Sequence, residues 1–200
     1  MPSIYDLKPR FQGLLRPGVR WLARSGVTAN QVTLAACAAS VVLGVWLCFR
    51  PGWLIVLPAF FFVRMALNAV DGMLAREFGQ KSRLGAYLNE ITDVVADSFL
   101  YLPFAYLPPF DPLWIGVVIV LAVISEMTGV VGIMTGASRR YDGPMGKSDR
   151  AFVFGAMALW IGLGGPVPPA VGEWFPRVLA VLLAITIVNR VRKGLAEIAV

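Results

Sequence analysis

Long apolar runs separated by short polar or basic connections dominate the pattern along the chain. Turn residues such as Pro51 and Pro166 mark where several of these runs end. Membrane-spanning helices are predicted at about residues 29–49, 53–78, 83–107, 112–135, 150–164 and 170–193. Thr28 or Asn30 is placed to cap the first of them. The pattern predicts an all-α integral membrane protein with six transmembrane helices.

A segment of mixed character precedes the first predicted span. In residues 1–26, basic residues alternate with apolar and aromatic ones such as Trp21, which favours an amphipathic helix in the membrane interface, interrupted at Pro17 and Gly18. A disordered basic tail is the alternative interpretation. The predicted organisation is therefore this interfacial segment followed by one six-helix membrane domain at residues 27–200.

Composition supports the membrane assignment and excludes some kinds of chemical site. Hydrophobic residues make up 58% of the chain, and the mean hydropathy is +0.70. Cys37 and Cys48 would lie about 16 Å apart along one helix, which is too far for a disulfide, so we expect both to be packing residues. The chain contains no histidine, so catalysis or metal binding by histidine is excluded.

The net charge of +6 follows the predicted topology. Basic residues concentrate before the first span, in the second-to-third and fourth-to-fifth connections, and at the end of the last span, whereas the other side has only Arg50 and Arg177. Positive charge marks cytoplasmic connections, so both termini should face the cytoplasm. This distribution favours contact with lipid headgroups over binding of nucleic acid.

Polar side chains recur at helical spacing near the ends of two predicted spans. Asn68 and Asp71 are three residues apart and share a helix face. Asn89, Asp93 and Asp97 are spaced by four and share a face of the next helix. Two such faces turned together would form a cluster of oxygen ligands suited to Mg²⁺, Mn²⁺ or Ca²⁺. Such ions are well suited to chemistry on a pyrophosphate.

Two further features of these spans allow two interpretations each. Gly72, Ala75 and Gly85 could leave space for a ligand beside the carboxylates, or could simply permit close helix packing. Arg64 and Glu126 are charged residues within predicted spans. They could pair as a structural lock, or Arg64 could point into the polar cavity instead.

The motif on the second and third spans resembles that of the CDP-alcohol phosphotransferase (CDP-alcohol phosphatidyltransferase) family, whose pattern is D-x2-D-G-x2-A-R-x8-G-x3-D-x3-D. Here the same spacing reads Asn68-x2-Asp71-Gly72-x2-Ala75-Arg76-x8-Gly85-x3-Asn89-x3-Asp93. Six of the eight motif positions match, and both departures replace Asp with Asn. The resemblance covers nearly the whole chain and is nearest to a short bacterial inner-membrane branch that carries Asn at these two positions.

The resemblance implies a reaction and a location. A CDP-linked lipid donor, usually CDP-diacylglycerol, would bind with Mg²⁺ or Mn²⁺, an alcohol would attack the phosphorus that bears the lipid, and CMP would leave. The pathway would be phospholipid biosynthesis at the cytoplasmic face of a bacterial inner membrane, among membrane lipids, with a homodimer as the expected assembly. By position, Asp71 and Asp93 would be metal ligands and Asp93 also the base, while a nucleotide-binding wall would comprise Gly72, Ala75, Arg76 and Gly85.

The two asparagines change the charge of the predicted metal site. An amide oxygen can bind a hard cation but carries no charge, so the four motif positions that hold ligands supply only two negative charges. One metal ion could suffice instead of two, Glu90 or Asp97 could supply the missing charge, or phosphotransfer could be lost. Asp97 is one turn beyond Asp93 on the same face, so we expect it to join the site together with Asn68 and Asn89.

A basic loop at residues 138–150 is the second candidate site. It contains four basic residues that could bind a phosphate on the acceptor, namely Arg139, Arg140, Lys147 and Arg150. The topology rule alone would also place basic residues here. A phosphorylated acceptor such as glycerol phosphate or inositol phosphate is therefore only a weak preference.

Two other functions compete with the phosphotransferase. A degenerate family member that binds nucleotide or lipid without turnover is favoured by the two Asn positions. A small membrane transporter would also place charged residues within spans, but it does not explain the motif spacing.

Overall fold

The computed structural model describes the backbone of residues 4–198 and the side chains of residues 11–198. Within that range 81% of the residues are helical and no strand occurs, which confirms the all-α prediction. The helices are α1 (Ile4–Arg24), α2 (Ala29–Phe49), α3 (Val56–Glu77), α4 (Arg83–Tyr101), α5 (Pro112–Met134), α6 (Lys147–Gly162) and α7 (Pro169–Ile198). Short 3₁₀ turns at Pro51–Trp53 and Leu102–Tyr106 follow α2 and α4. Residues 1–3 and 199–200 of the predicted segments lie outside the described residues.

Six helices follow α1 at the predicted places, but they differ in how well they fit a bilayer. By length and apolar composition, α2, α3, α5 and α7 could each cross a membrane. Helix α4 carries three carboxylates in its middle, and α6 has only 16 residues, or about 24 Å of helix. That α4 and α6 also cross the membrane therefore stays a prediction.

Helix α1 is continuous, so the predicted interruption at Pro17 and Gly18 is wrong. A proline inside a helix loses one backbone hydrogen bond, and packing against α3 compensates for this loss. Val19 is fully buried, and its cluster of apolar side chains includes Met73 and Leu74 of α3. A disordered tail is excluded for residues 4–24, whereas the interfacial position of α1 stays a prediction.

Thr28 caps α2, as the sequence predicts. The Thr28 hydroxyl accepts a hydrogen bond from the Gln31 backbone N–H, and the Gln31 side chain accepts one from the Thr28 backbone N–H. This reciprocal pair fixes where α2 begins. Cys37 and Cys48 are both free thiols, in agreement with their predicted role in packing.

The helices pack so that one apolar core lies directly beyond the polar motif. Helix α2 packs on α3 and α4, α3 packs on α6, and α5 packs on α7. In the core, the rings of Tyr101 and Phe154 stack with centroids 4.2 Å apart. Tyr101 lies one turn after Asp97 on α4, and Phe154 lies one turn after Arg150 on α6. The polar motif is thus backed by a rigid aromatic layer.

Candidate active site

Asp93 of α4 is the centre of the polar cluster. The Asn68 Nδ2 atom of α3 lies 3.3 Å from Asp93 Oδ1, and Arg64 Nη2 lies 3.2 Å from the same oxygen. The Lys147 ammonium, on the first residue of α6, lies 2.5 Å from Asp93 Oδ2. The two faces that the spacing predicts therefore do meet, and a basic residue from a third helix joins them.

Asp71 occupies a more enclosed position on α3. It is buried, and its Oδ2 atom lies 2.7 Å from the Thr33 hydroxyl oxygen of α2. The same hydroxyl lies 3.0 Å from the carbonyl oxygen of Ala29, so its single proton can serve one of the two acceptors at a time. The motif analysis did not single out Thr33 as a site residue. Its only signal was its place at the end of residues 28–33 (TANQVT), a stretch that also resembles the family's segment ahead of the first helix.

The predicted nucleotide-binding residues lie around the C-terminal end of α3 and the start of α4. The Arg76 guanidinium folds back over Gly72, where an added Cβ would lie only 2.8 Å from Nη2. At Gly85, an added Cβ would lie 2.8 Å from Asn30 Oδ1. Both glycines allow close approach of polar groups, which is compatible with packing and with ligand binding. Ala75 is half-buried beside them.

Arg64 turns toward the polar cluster, which decides between its two interpretations. It forms ion pairs with Asp97 and Asp93, whereas Glu126 pairs with other arginines. Asp97 is 4% exposed, with Oδ1 bound by Arg64 and Oδ2 lying 3.2 Å from Arg150. Its role as a metal ligand stays a prediction, because both of its oxygens already have cationic partners.

A buried network of charges extends from Asp97 to α5 and α7. Glu126 Oε1 lies 3.0 Å from Arg150 and 3.5 Å from Arg190, and both arginines are almost fully buried. Arg139 completes the network through Glu90 and through Glu126 Oε2 at 3.7 Å. Arg190 was predicted only as one of the basic residues at the end of the last span, although a basic residue within a long apolar helix is also a signal of burial.

The four basic residues predicted to bind an acceptor phosphate contact different acids in the structure. Arg139 pairs with Glu90, Lys147 with Asp93, and Arg150 with Asp97 and Glu126. Arg140 pairs with Asp142 and Glu197, which fixes the loop on α7. Asn89 is half-buried one turn before Asp93. A shared phosphate site formed by these basic residues stays a prediction.

Asp142 is a charged anchor of this loop outside the helices. Burial raises its pKa, but hydrogen bonds from Lys193 and Arg140 outweigh this effect and hold the pKa below its ordinary value. Its Oδ1 atom lies 3.0 Å from the Lys193 ammonium and its Oδ2 atom 2.8 Å from Arg140. The loop that leads into Lys147 is therefore tied down by ion pairs at neutral pH.

An amphiphilic cavity of about 570 Å³ lies between α3 and α6. One end is polar and consists of Arg64, Asn68, Lys147 and Ser148. The rest of the lining is apolar and comprises Pro58, Phe61, Phe62, Met65, Ala151, Phe152, Gly155, Ala156 and Leu159. Its volume is that of a ligand site, and its lining suits a molecule with a charged head and an apolar tail.

The motif residues carry oxygen donors of the kind that a hard divalent cation prefers. Among the described residues, no group of three or more His, Cys, Asp or Glu side chains is arranged to hold a metal ion. The motif offers the carboxylate of Asp71 and the amide oxygens of Asn68 and Asn89, which are oxygen donors suited to Mg²⁺ or Mn²⁺. Asp93 could add a ligand only if Lys147 moved away from Oδ2.

Comparisons with known proteins agree with this architecture. The inner membrane protein YnbA of Escherichia coli K12 is 43% identical over 198 residues, which cover 96% of each chain. The crystal structure of Mycobacterium tuberculosis phosphatidylinositol phosphate synthase with CDP-DAG bound matches with a TM-score of 0.75 at 25% identity, covering 89% of this chain and 92% of that one. The same enzyme in complex with manganese and citrate matches with a TM-score of 0.74 at 25% identity, covering 89% and 87%.

The sequence profile of the CDP-alcohol phosphatidyltransferase family matches residues 26–190, which include every helix that contributes to the polar cluster. This match and the YnbA relative confirm the resemblance seen in the motif. The chain therefore belongs to the CDP-alcohol phosphatidyltransferase family.

Proposed function

We propose that this protein transfers a phosphatidyl group from a CDP-linked donor, most simply CDP-diacylglycerol, to an alcohol acceptor in phospholipid biosynthesis. The observation that carries the proposal is the amphiphilic cavity, because its polar end opens on the motif residues and its long flank is apolar. A diacyl lipid with a pyrophosphate head has this division of polarity. The family membership and the CDP-DAG bound to the mycobacterial enzyme support the same substrate class.

In the proposed reaction, the acceptor oxygen forms a bond to the phosphorus that bears the lipid. The bond from that phosphorus to the oxygen of the CMP phosphate breaks, and CMP leaves. The acceptor proton passes to the carboxylate of Asp93, which contacts Asn68, a residue at the polar end of the cavity. The guanidinium of Arg76, which folds back over Gly72, would contact the nucleotide.

A divalent ion, held by Asp71 and the amide oxygens of Asn68 and Asn89, would neutralise charge on the pyrophosphate when bound. The family is divalent-metal dependent, and the mycobacterial relative was crystallised with manganese. Arg64 would supply a second positive charge from the protein side, since its Nη2 atom already lies 3.2 Å from Asp93 and borders the cavity. The acceptor would enter from the side of Lys147 and the 138–150 loop.

One specific observation favours a second candidate, a family member that binds the nucleotide lipid without turnover. Asn68 and Asn89 replace two carboxylates of the motif, and both Asp93 oxygens already have cationic partners. The family relationship and the intact spacing favour the enzyme. Cytoplasmic termini, a cytoplasmic site and a homodimer belong to the same proposal and follow from the charge distribution and the resemblance.

The test is CMP release from CDP-diacylglycerol by the purified protein in lipid nanodiscs with Mg²⁺ or Mn²⁺. Acceptors would include glycerol 3-phosphate, inositol phosphate and unphosphorylated alcohols. We expect release with at least one acceptor and its loss in Asp93→Asn, while Glu173→Gln, which removes an exposed carboxylate paired with Arg177, serves as the carboxylate control. CDP binding without CMP release from any acceptor would identify the non-catalytic member, and absence of both would reject the phosphotransferase.

A further inference from the structure

Lys147 places a positive charge directly on a motif carboxylate. Its Nζ atom lies 2.5 Å from Asp93 Oδ2, and its side chain is only 29% exposed. Arg64 Nη2 lies 3.2 Å from Oδ1 of the same carboxylate. The charge of Asp93 is thus balanced by two protein cations that approach from α3 and α6.

The contact between Asn68 and Asp93 explains why no additional cation is needed between them. Their polar atoms are 3.3 Å apart, and the amide nitrogen donates to the carboxylate. Two carboxylates at that separation would repel each other strongly unless a cation or a proton lay between them. The change from Asp to Asn at this position therefore converts a repulsive contact into a hydrogen bond.

The ion-paired part of the cluster has no negative charge left for a metal ion. Among the described side chains, ion pairs join four acids, Glu90, Asp93, Asp97 and Glu126, to five bases, Arg64, Arg139, Lys147, Arg150 and Arg190. Asp71, one turn from Asn68, takes part in none of these ion pairs, so its carboxylate is the motif charge that is left to bind a cation. Hard divalent ions bind where negative charge is in excess. Two further carboxylates at positions 68 and 89 would create that excess.

We propose that the Lys147 ammonium takes the place of one divalent cation, so that each chain binds a single divalent ion, anchored by Asp71, rather than two. The inference rests on the proposed function for the existence of a metal site and concerns the number of ions in it. The inference also gives Lys147 a role in binding the donor. Its ammonium is a positive charge at the polar end of the cavity, where it can contact the donor pyrophosphate.

The number of ions is measured by electron paramagnetic resonance titration of Mn²⁺ into the purified protein in detergent. We expect one Mn²⁺ per wild-type chain. Lys147→Met should bind either a second ion or the first about tenfold more tightly, because Asp93 is released. Asn68→Asp should tighten binding in the same direction. Arg177→Met, which removes a cation paired with the exposed Glu173, should leave both values unchanged.

Thermal unfolding separates this role from a merely structural one. Lys147→Met should melt at a lower temperature than wild type in EDTA, and Mn²⁺ should restore the melting temperature. Lys147→Arg keeps the positive charge and should retain one ion. The triple variant Lys147→Met, Asn68→Asp, Asn89→Asp is the positive control of the Mn²⁺ titration and should bind two ions per chain.

The inference is overturned if the wild type binds two ions or none, or if Lys147→Met changes neither stoichiometry nor affinity. CMP release measured on the same preparations keeps this result apart from the proposed function. One ion per chain without CMP release would reject the enzyme and keep the inference. Two ions per chain together with CMP release would reject the inference and keep the enzyme.

Discussion

The side-chain amide of Asn68 donates a hydrogen bond to the carboxylate of Asp93 across 3.3 Å and so joins α3 to α4 at the centre of the motif. In the family pattern both positions are carboxylates. This chain therefore joins the same helix pair through a hydrogen-bond donor and an acceptor. The first prediction follows from this contact.

Asn68→Asp should destabilise the protein in the absence of metal. The variant replaces a hydrogen bond to a charged group with a like-charge contact, so we expect a loss of about 1.5–3 kcal/mol. Adding Mn²⁺ should recover most of it, because the new carboxylate binds the ion. Thermal unfolding in EDTA and in Mn²⁺ measures both effects. Asn189→Asp, a half-buried amide on α7, is the control and should show no recovery by Mn²⁺.

Asp97→Asn should be far more damaging to stability than most single changes. Asp97 is buried, and its loss removes one of the two anionic partners of both Arg64 and Arg150 and leaves Asp93 and Glu126 as their remaining partners. Removing one member of a buried ion pair costs about 3–5 kcal/mol. Glu173→Gln removes an exposed carboxylate that pairs with Arg177 and should cost about 0.5 kcal/mol or less.

The same variant decides whether Asp97 also binds metal. If its part is to hold the two arginines, a sample of Asp97→Asn that still folds should bind Mn²⁺ with wild-type affinity. A loss of Mn²⁺ affinity with little change in the unfolding temperature would instead support the ligand role that the spacing predicts. Titration at a temperature well below unfolding separates the two results.

Thr33→Val should weaken the metal site without disturbing the shape of the core. Valine has nearly the same volume but cannot donate to Asp71 Oδ2, which lies 2.7 Å from the hydroxyl. Loss of a group that orients a ligand typically lowers metal affinity about 10- to 100-fold. Mn²⁺ titration and CMP release should fall together. Thr128→Val removes a hydroxyl that contacts the carbonyl of Ile124 in its own helix, and should change neither.

Helical periodicity accounts for most of what the sequence could predict. The bounds of α2 follow from its cap at Thr28 and its apolar composition. The 3.6-residue repeat correctly places Asn68 and Asp71 on one face and Asp93 and Asp97 on another. The continuity of α1 through Pro17 was not predictable in this way, because it depends on burial of Val19 against α3.

Helical periodicity could not predict which charged residues form pairs. A helix face can be read from spacing, but the rotation and depth of one helix against another depend on packing of the whole bundle. From the sequence, Arg64 could either pair with Glu126 or point into the cavity. The structure shows that it forms ion pairs with Asp93 and Asp97. Lys147 was a candidate for binding an acceptor phosphate, which stays a prediction, and spacing alone did not indicate its contact with Asp93 across helices.

Gly44→Ala should separate α2 from α4 and thereby displace the motif helix. A Cβ atom at Gly44 would lie 2.1 Å from the carbonyl oxygen of Phe99, and this backbone atom cannot rotate away as a side chain could. Overpacking of this kind costs about 1–3 kcal/mol. Gly116→Ala on α5 is the matched control, because nothing lies within 4 Å of its added Cβ and alanine favours the helix by about 1 kcal/mol. Thermal unfolding should therefore move in opposite directions for the two variants, and equal shifts would show that α2 and α4 do not pack as closely as described.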